Sequence, residues 1–500
     1  MCAPSHSLNF SISHFLILSI SQFLIFSFSQ FLSSCDDYDT WTTSPDARLT
    51  LSSDTVAFDT VITGLGSSTR TLVLSNPGDK GLRITRAELA QGSESPFHVN
   101  IDGQYLYDGV GEDFEVRRKD SIYVRIEVKL PETDSDEITD YEDQLLLTLE
   151  SGTRQQVILT ASGMDVIVLR GETVTADRTL DARRPYLVYD SLVVAHGTTL
   201  TLPEGTTLMF HDATSLLVHG TLKAKGTLAH PVTFRGDRTD RMFPYLPYDN
   251  TPNRWGGIHF FGDSRDNELT QCDIHSGDYG IVCDSTDITD DTAPLLLLSN
   301  SVIHNVGGRG LSLTHCRTQS TGTQISNTLG ECVYIMGGAH TFVHCTIAQF
   351  YPLSAKRGDA LYIANTEGET YRHIYWCYFL NCVITGYADD VIMGNIFETD
   401  ESPCDYLFQN SLLRTVVSDD AVRFRNVLYD IPDSLELTAE HHFRLFDTHA
   451  FLYDFTPDSL SAIRSLADPA YARLFPVDRR GYSRLADGAP DAGAYEGQYQ

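Results

Sequence analysis

Val194-Ala195-His196-Gly197-Thr198-Thr199-Leu200-Thr201-Leu202-Pro203-Glu204-Gly205-Thr206-Thr207-Leu208-Met209-Phe210 is followed after five residues by Leu216-Leu217-Val218-His219-Gly220-Thr221-Leu222-Lys223-Ala224-Lys225-Gly226-Thr227. The second stretch echoes the first. Gly197 and Gly220 are 23 residues apart, and Gly205 and Gly226 are 21 apart. Three short strands and three bends use about that many residues, so the spacing predicts one turn of a β-solenoid per echo. The glycines permit a positive φ at the bends, and alternate residues between them point inward. Leu200, Leu202, Leu208, Phe210, Leu216, Val218 and Leu222 then form a stackable interior. One coil cannot bury that face alone, so the stack must continue.

The continuation is written in a repeated slot. Gln271-Cys272-Asp273-Ile274, His344-Cys345-Thr346-Ile347 and Asn381-Cys382-Val383-Ile384 each place Cys two before Ile, and Asn300-Ser301-Val302-Ile303 and Asn410-Ser411-Leu412-Leu413 fit with Ser. Small residues in this slot read as an inward packing ladder, where a free thiol behaves as a small hydrophobe. Asn300, Asn381 and Asn410 read as an amide ladder at a bend, each side chain bonding its neighbour's backbone. The entry stretch, with Trp255-Gly256-Gly257-Ile258 after it, resembles the start of many right-handed parallel β-helix proteins. The resemblance covers roughly residues 186–430.

Upstream, over residues 46–165, short alternating strands are punctuated by turns such as Asn76-Pro77-Gly78 and Ser151-Gly152. Strands are expected at 55–62, 69–75, 82–88, 121–128, 144–149 and 155–161. About seven strands in this length predict a β-sandwich. Phe58-Asp59-Thr60-Val61, Thr71 to Gly78, Pro96-Phe97-His98-Val99 and Val157 to Gly163 resemble the immunoglobulin-like modules of the abnormal-spindle and hydin type, which implies a spacer or protein-contact role. The fold class expected for the whole is all-β, an N-terminal β-sandwich followed by a right-handed parallel β-helix (β-solenoid).

The first 34 residues contain no Lys, Arg, Asp or Glu and are dominated by Phe, Leu, Ile and Ser from Phe10 to Phe31. That is an export segment, with a permanent membrane helix as the competing reading. Leu32-Ser33-Ser34-Cys35 resembles the bacterial lipobox, which implies a signal peptide over 1–34 and lipidation of Cys35. The acidic tether, 35–45, carries Asp36, Asp37 and Asp39. Such residues resemble the signal that sends lipoproteins of the Bacteroidota to the exterior of the outer membrane. The expected location is therefore the outer membrane, lipid-anchored and facing outward.

Acidic residues number 67 against 36 Lys plus Arg, a net charge of −31, so nucleic acid is not an expected partner. Solubility alone accounts for much of this acidity. Beyond Cys2 and Cys35, eight cysteines lie between Cys272 and Cys404. No CxxC pair has a matching His or Cys pair, so no zinc site is assigned, while pairing of Cys377 with Cys382 stays open. At the C-terminus, 431–500, Pro476 to Arg484 and Pro490-Asp491-Ala492-Gly493-Ala494-Tyr495-Glu496 resemble the closing module of surface β-helix proteins that ends in P-D-I-G-A-Y-E. A module there would cover the last coil and its open strand edge.

Parallel β-helices include pectate and alginate lyases, polygalacturonases and tailspike endoglycosidases, so catalysis has to be weighed from residues, not from fold. Gly-His-Gly and Arg-Ile-Lys elements of a polygalacturonase-like site are missing from the sequence. Asp389 and Asp390 are the one close acidic pair on the later coils; as neighbours in a strand they would face opposite ways, so at most one is expected to face a ligand and a two-carboxylate site is not expected. Lys356 to Asp359 and Asp284 to Asp291 read as loops. No phosphate loop, dinucleotide glycine pattern, Gly-x-Ser-x-Gly or HExxH is present. No catalytic residue, metal or cofactor is assigned, calcium included.

The long Pro-rich insertion from Asp237 to Trp255 brings Arg238, Asp240, Arg241, Phe243, Tyr245, Tyr248, Asp249 and Trp255 together. Aromatic faces stack on sugar rings, and Arg and Asp hydrogen-bond hydroxyls, which makes Arg241, Tyr245, Tyr248, Asp249 and Trp255 the candidate ligand site. Burial of the same aromatics over a coil is the competing reading. The expected function is non-enzymatic binding of a polysaccharide or envelope protein at the cell surface. The alternative is a glycan-degrading lyase or hydrolase acting on the helix face.

Overall fold

The structure is a computed structural model that describes residues 40–288, 293–399, 404–430 and 439–498. Cys35 and the export segment lie outside the described residues. Two compact units are present, one built from residues up to 58 with 66–129 and 140–161, the other from 59–65, 130–139 and 162 onward.

The N-terminal strands form two five-stranded sheets, an antiparallel sandwich. One sheet runs Thr50–Leu51, Arg70–Ser75, Ser121–Val128, Phe97–Ile101, Gln104–Tyr105; the other runs Thr55–Ile62, Arg154–Met164, Thr139–Leu149, Leu82–Leu89, Val110–Val116. Every strand expected from alternation is present. Val110–Val116 was not anticipated, because Gly109, Gly111 and the acidic Glu112, Asp113 and Glu115 blur its alternation. Leu72, Leu74, Val124, Ile126 and Val128 fill the interior. Asn76 organises the Asn-Pro-Gly turn, its Nδ2 donating to the Lys80 and Val116 carbonyls and its Oδ1 accepting from Gly78 N.

From Ile167 the chain forms a parallel β-helix of three strand ladders. The first strand, Ile167–Val174, pairs in parallel with Tyr186–Val194, so the solenoid begins about twenty residues before the expected start at 186. That strand alternates with exposed polar residues and carries no echo, which hid it. The first ladder includes Thr199–Leu202, Thr221–Lys225, Asn267–Thr270 and Leu296–Ser299. A second ladder includes Thr207–Phe210, Val232–Gly236, Cys272–His275, Val302–His304, Gln324–Ser326 and Thr346–Gln349. The third includes Ser215–Val218, Gly257–Phe260, Ile281–Cys283 and Leu311–Thr314. Leu200 lies beside Leu222, and Thr318 beside His340, one 22-residue coil apart.

The interior is built by stacking like on like. Leu208, Phe234, Ile274, Ile303, Ile325, Ile347 and Ile384 are all buried in register along the second ladder. On the first ladder Phe342, Phe379, Phe408 and Phe424 stack with centroids 4.8, 5.0 and 5.2 Å apart. All eight described cysteines are free and buried, Cys377 and Cys382 among them. Ser301 and Ser411 in the same slot donate to carbonyls within the ladder and accept from Cys272 N and Cys382 N.

The amide ladder serves a different purpose from the one expected. Asn300, Asn381, Asn410 and Asn426 hold φ between 48° and 56°, in the left-handed region that Asn tolerates better than most side chains. Their side chains do not simply bond the next coil. Asn381 accepts from Asp468 N and donates to Asp468 O, and Asn410 donates to Leu466 O. The bend thus fastens the C-terminal segment to the helix. That segment, a hairpin of Phe443–Asp447 with Leu452–Pro457 and a short helix Pro469–Leu474, packs along the flank of the second ladder on Ala348, Val383 and Leu412. These three are outward positions turned apolar to receive it.

Candidate functional site

On the second ladder, outward positions alternate with the buried Ile row. One outward row reads Arg235, His275, His304; its neighbour reads Thr233, Asp273, Val302. Asp273 and His275 flank Ile274 on one strand, so both face out. His304 sits beside His275 one rung on.

The insertion folds over these rungs as a hairpin, Arg241–Phe243 with Leu246–Pro247, followed by a helical turn at Tyr248–Asn250. The turn delivers Asp249. Its Oδ1 lies 2.7 Å from an Arg235 nitrogen and 3.4 Å from His275 Nε2. The other ring nitrogen, His275 Nδ1, lies 3.0 Å from Asp273 Oδ1, and His304 Nε2 lies 3.1 Å from the same oxygen. His275 is nearly sealed, while Asp273 retains about a third and His304 about a quarter of its side-chain exposure.

Burial works against charge on both central groups, and opposite charge overcomes it. Asp273, despite desolvation, is held well below the usual carboxylate range by His275 and His304. His275, despite desolvation, is raised to about 9 by Asp273 and Asp249. Asp249 is likewise lowered against its burial, by His275 and then Arg235. The resting cluster is therefore two carboxylates balanced by a guanidinium and an imidazolium.

The five sequence-assigned ligand residues fall in four different places. Asp249 joins the cluster just described. Tyr248 is half-buried, with the Arg238 guanidinium 4.1 Å and that of Arg254 5.4 Å from its ring centroid. Arg241 is exposed and donates to the Pro244 carbonyl. Tyr245 is 59% and Phe243 49% exposed, with ring planes 10° apart and centroids 5.6 Å apart. Phe451, on the C-terminal hairpin turn, extends the row at 6.4 Å, again within 10° of parallel. These centroid distances exceed face-to-face contact, so the rings are offset and leave faces open.

Trp255 corrects the expectation. It is fully buried, stacks on Phe210 at 4.4 Å, and donates Nε1–H to the His275 carbonyl at 2.8 Å. It belongs to the core and cannot touch a ligand. The glycines after it serve close approach. A Cβ on Gly256 would meet Ser215 Oγ at 2.0 Å, and Gly257 holds φ +102°.

His275 and His304 were missed in the sequence, although a signal was there. Cys272-Asp273-Ile274-His275 and Ser301-Val302-Ile303-His304 are the same slot, and in both the residue after Ile is His. Later coils carry Ala348 and Thr385 at that position.

No protein family and no curated protein sequence matches this chain. Among solved structures, a family 123 glycoside hydrolase from Clostridium perfringens aligns at 6% identity and TM-score 0.17, covering 23% of this chain and 25% of that one. This chain thus spans a quarter of that protein's length. The human CEP192 ASH/PapD-like domain aligns at 17% identity and TM-score 0.16, over 26% of this chain and 94% of the domain. A catalytic domain of a GH87 α-1,3-glucanase aligns at 9% identity and TM-score 0.18, over 68% of this chain and 80% of that one.

Proposed function

We propose that the chain is a lipid-anchored surface protein of the outer membrane whose β-helix flank binds a polysaccharide without cleaving it. The observation that carries the reading is the row of the exposed Phe243 and Tyr245 with the half-buried Phe451, three rings with near-parallel planes beside the exposed Arg241. Parallel offset rings suit successive sugar faces, each stack adding on the order of 1 kcal/mol. A net charge of −31 disfavours polyanions, so the preferred glycan is neutral. The lipobox-like Leu32 to Cys35 and the acidic residues after it support surface anchoring, by resemblance to lipoproteins of the Bacteroidota. Among the described residues no helix is long and apolar enough to cross a membrane. An envelope protein in place of a glycan is the competing partner.

A glycan array probed with the purified protein, reading both retention and release of reducing or unsaturated ends, tests the binding. Retention without release, weakened roughly tenfold in Tyr245→Ala with unchanged circular dichroism, is the expected result. Release of ends that disappears in Asp273→Asn would replace this reading with a glycan-degrading enzyme. For the anchor, Cys35→Ser is expected to move the protein from the membrane to the soluble fraction and to remove the acyl mass from its N-terminus. A variant that stays in the membrane would refute lipidation at Cys35.

A further inference from the structure

We propose that Asp273, His275 and His304 form a binding site for one divalent transition-metal ion of the zinc class, with a coordination position open to solvent. Their donor atoms converge: Asp273 Oδ1 is 3.0 Å from His275 Nδ1 and 3.1 Å from His304 Nε2, and all three lie within 4.8 Å of one another. Ligands held about 2.0–2.2 Å from one metal at tetrahedral angles stand roughly 3.3–3.6 Å apart, so an ion fits once these contacts open by a few tenths of an ångström. Two nitrogens and one carboxylate oxygen suit zinc-class ions and disfavour calcium and magnesium, which take oxygen donors.

The scaffold is suited to holding such a set. Two ligands leave one strand two residues apart and the third lies on the adjoining rung, so ladder hydrogen bonds fix all three backbones. Asp249 lies 3.4 Å from His275 Nε2, on the far side of the ring, and is itself gripped by Arg235 at 2.7 Å. A carboxylate behind a ligating imidazole fixes which nitrogen faces the metal and increases its basicity. The partial exposure of Asp273 and His304 leaves a fourth position reachable from solvent. A second convergent group, Asp430, His441 and His442, is less suited. There the buried Arg414 guanidinium bonds the Asp430 carboxylate at 3.0 Å and would compete with a cation. In the first group the Arg235 guanidinium pairs with Asp249, behind the His275 ring, and not with the ligating Asp273.

The test uses the purified full chain, stripped with a chelator and titrated with Co2+ as a spectroscopic probe and with Zn2+ by calorimetry. One Co2+ per chain is expected, with visible d–d bands that Zn2+ abolishes. Asp273→Asn and His304→Ala should each weaken binding by about 100-fold or more, and Asp249→Asn by roughly 10–100-fold, with unchanged circular dichroism. His441→Ala should leave binding unchanged. Equal affinity in Asp273→Asn, or no saturable Co2+ band in the wild type, would overturn the proposal. A band lost only in His441→Ala would transfer the site to the other group and overturn it equally.

Discussion

Trp255→Ala is expected to destabilise the β-helix unit by about 3–5 kcal/mol, read as an earlier urea or thermal transition by circular dichroism. The indole is fully buried, and its stack on Phe210 at 4.4 Å joins the coil that carries the insertion to the coil before it. Truncation leaves a cavity that the ladder cannot close, because the strands on either side are held by rungs above and below. It also strips the His275 carbonyl of its donor, and an unpaired buried acceptor costs on the order of 1–3 kcal/mol. In a solenoid each coil's stability depends on its neighbours, so the loss spreads to adjacent rungs. Tyr245→Ala, by contrast, removes an exposed ring and should change stability by less than about 0.5 kcal/mol. The pair separates core from surface on one insertion. A Trp255→Ala variant as stable as wild type that lost glycan retention would show Trp255 to be a ligand contact, against its burial.

How much of this was legible follows from which physical signals repeat. Inward residues repeat because each coil must bury its face on the next, so the glycine echoes, the Cys/Ser slot and the apolar rows announced the solenoid. Outward residues repeat only where something binds them. Ala348 on one outward row, and Val383 and Leu412 on its neighbour, are apolar because the C-terminal segment covers them, and no local pattern says what covers a position. The same blindness applies to the site. Asp249 was found because it sits in a compositionally odd insertion, whereas His275 and His304 each look like one unremarkable residue until the coil spacing aligns them. Trp255 was misassigned for the converse reason. Its residue type suits a sugar platform, yet it ends the insertion where the chain re-enters the ladder, and there burial governs.

Glu496→Gln is expected to abolish a pH-dependent loosening of the C-terminal segment. Pro490 to Glu496 lies against the second ladder: Gly493 N donates to Asn381 O, Ala494 N to Thr346 Oγ1, and the Tyr495 hydroxyl to Gln324 Oε1. A Cβ on Gly493 would meet Thr346 Oγ1 at 2.8 Å, which explains glycine at the centre of the motif. That close docking carries the Glu496 carboxyl into the interior at 4% exposure, where it accepts from Asp491 N. Burial first, and the Asp491 carboxylate second, push it up to about 8, although the buried Arg484 stands 4.0 Å away. A carboxyl that ionises near 4.3 when unfolded and near 8 when folded binds more protons in the folded state across that interval. Its contribution is fully present below about pH 4.5 and is lost as pH rises through 8, by no more than about 5 kcal/mol. Hydrogen exchange over Pro476 to Glu496 should therefore show protection, corrected for intrinsic rates, falling between pH 5 and pH 9 in the wild type. The Gln variant, neutral at both values, should hold its protection at pH 9 and differ little from wild type at pH 5. Parallel pH profiles in the two proteins would mean that Glu496 is ionised in the folded chain at pH 5, with Arg484 rather than burial setting its charge.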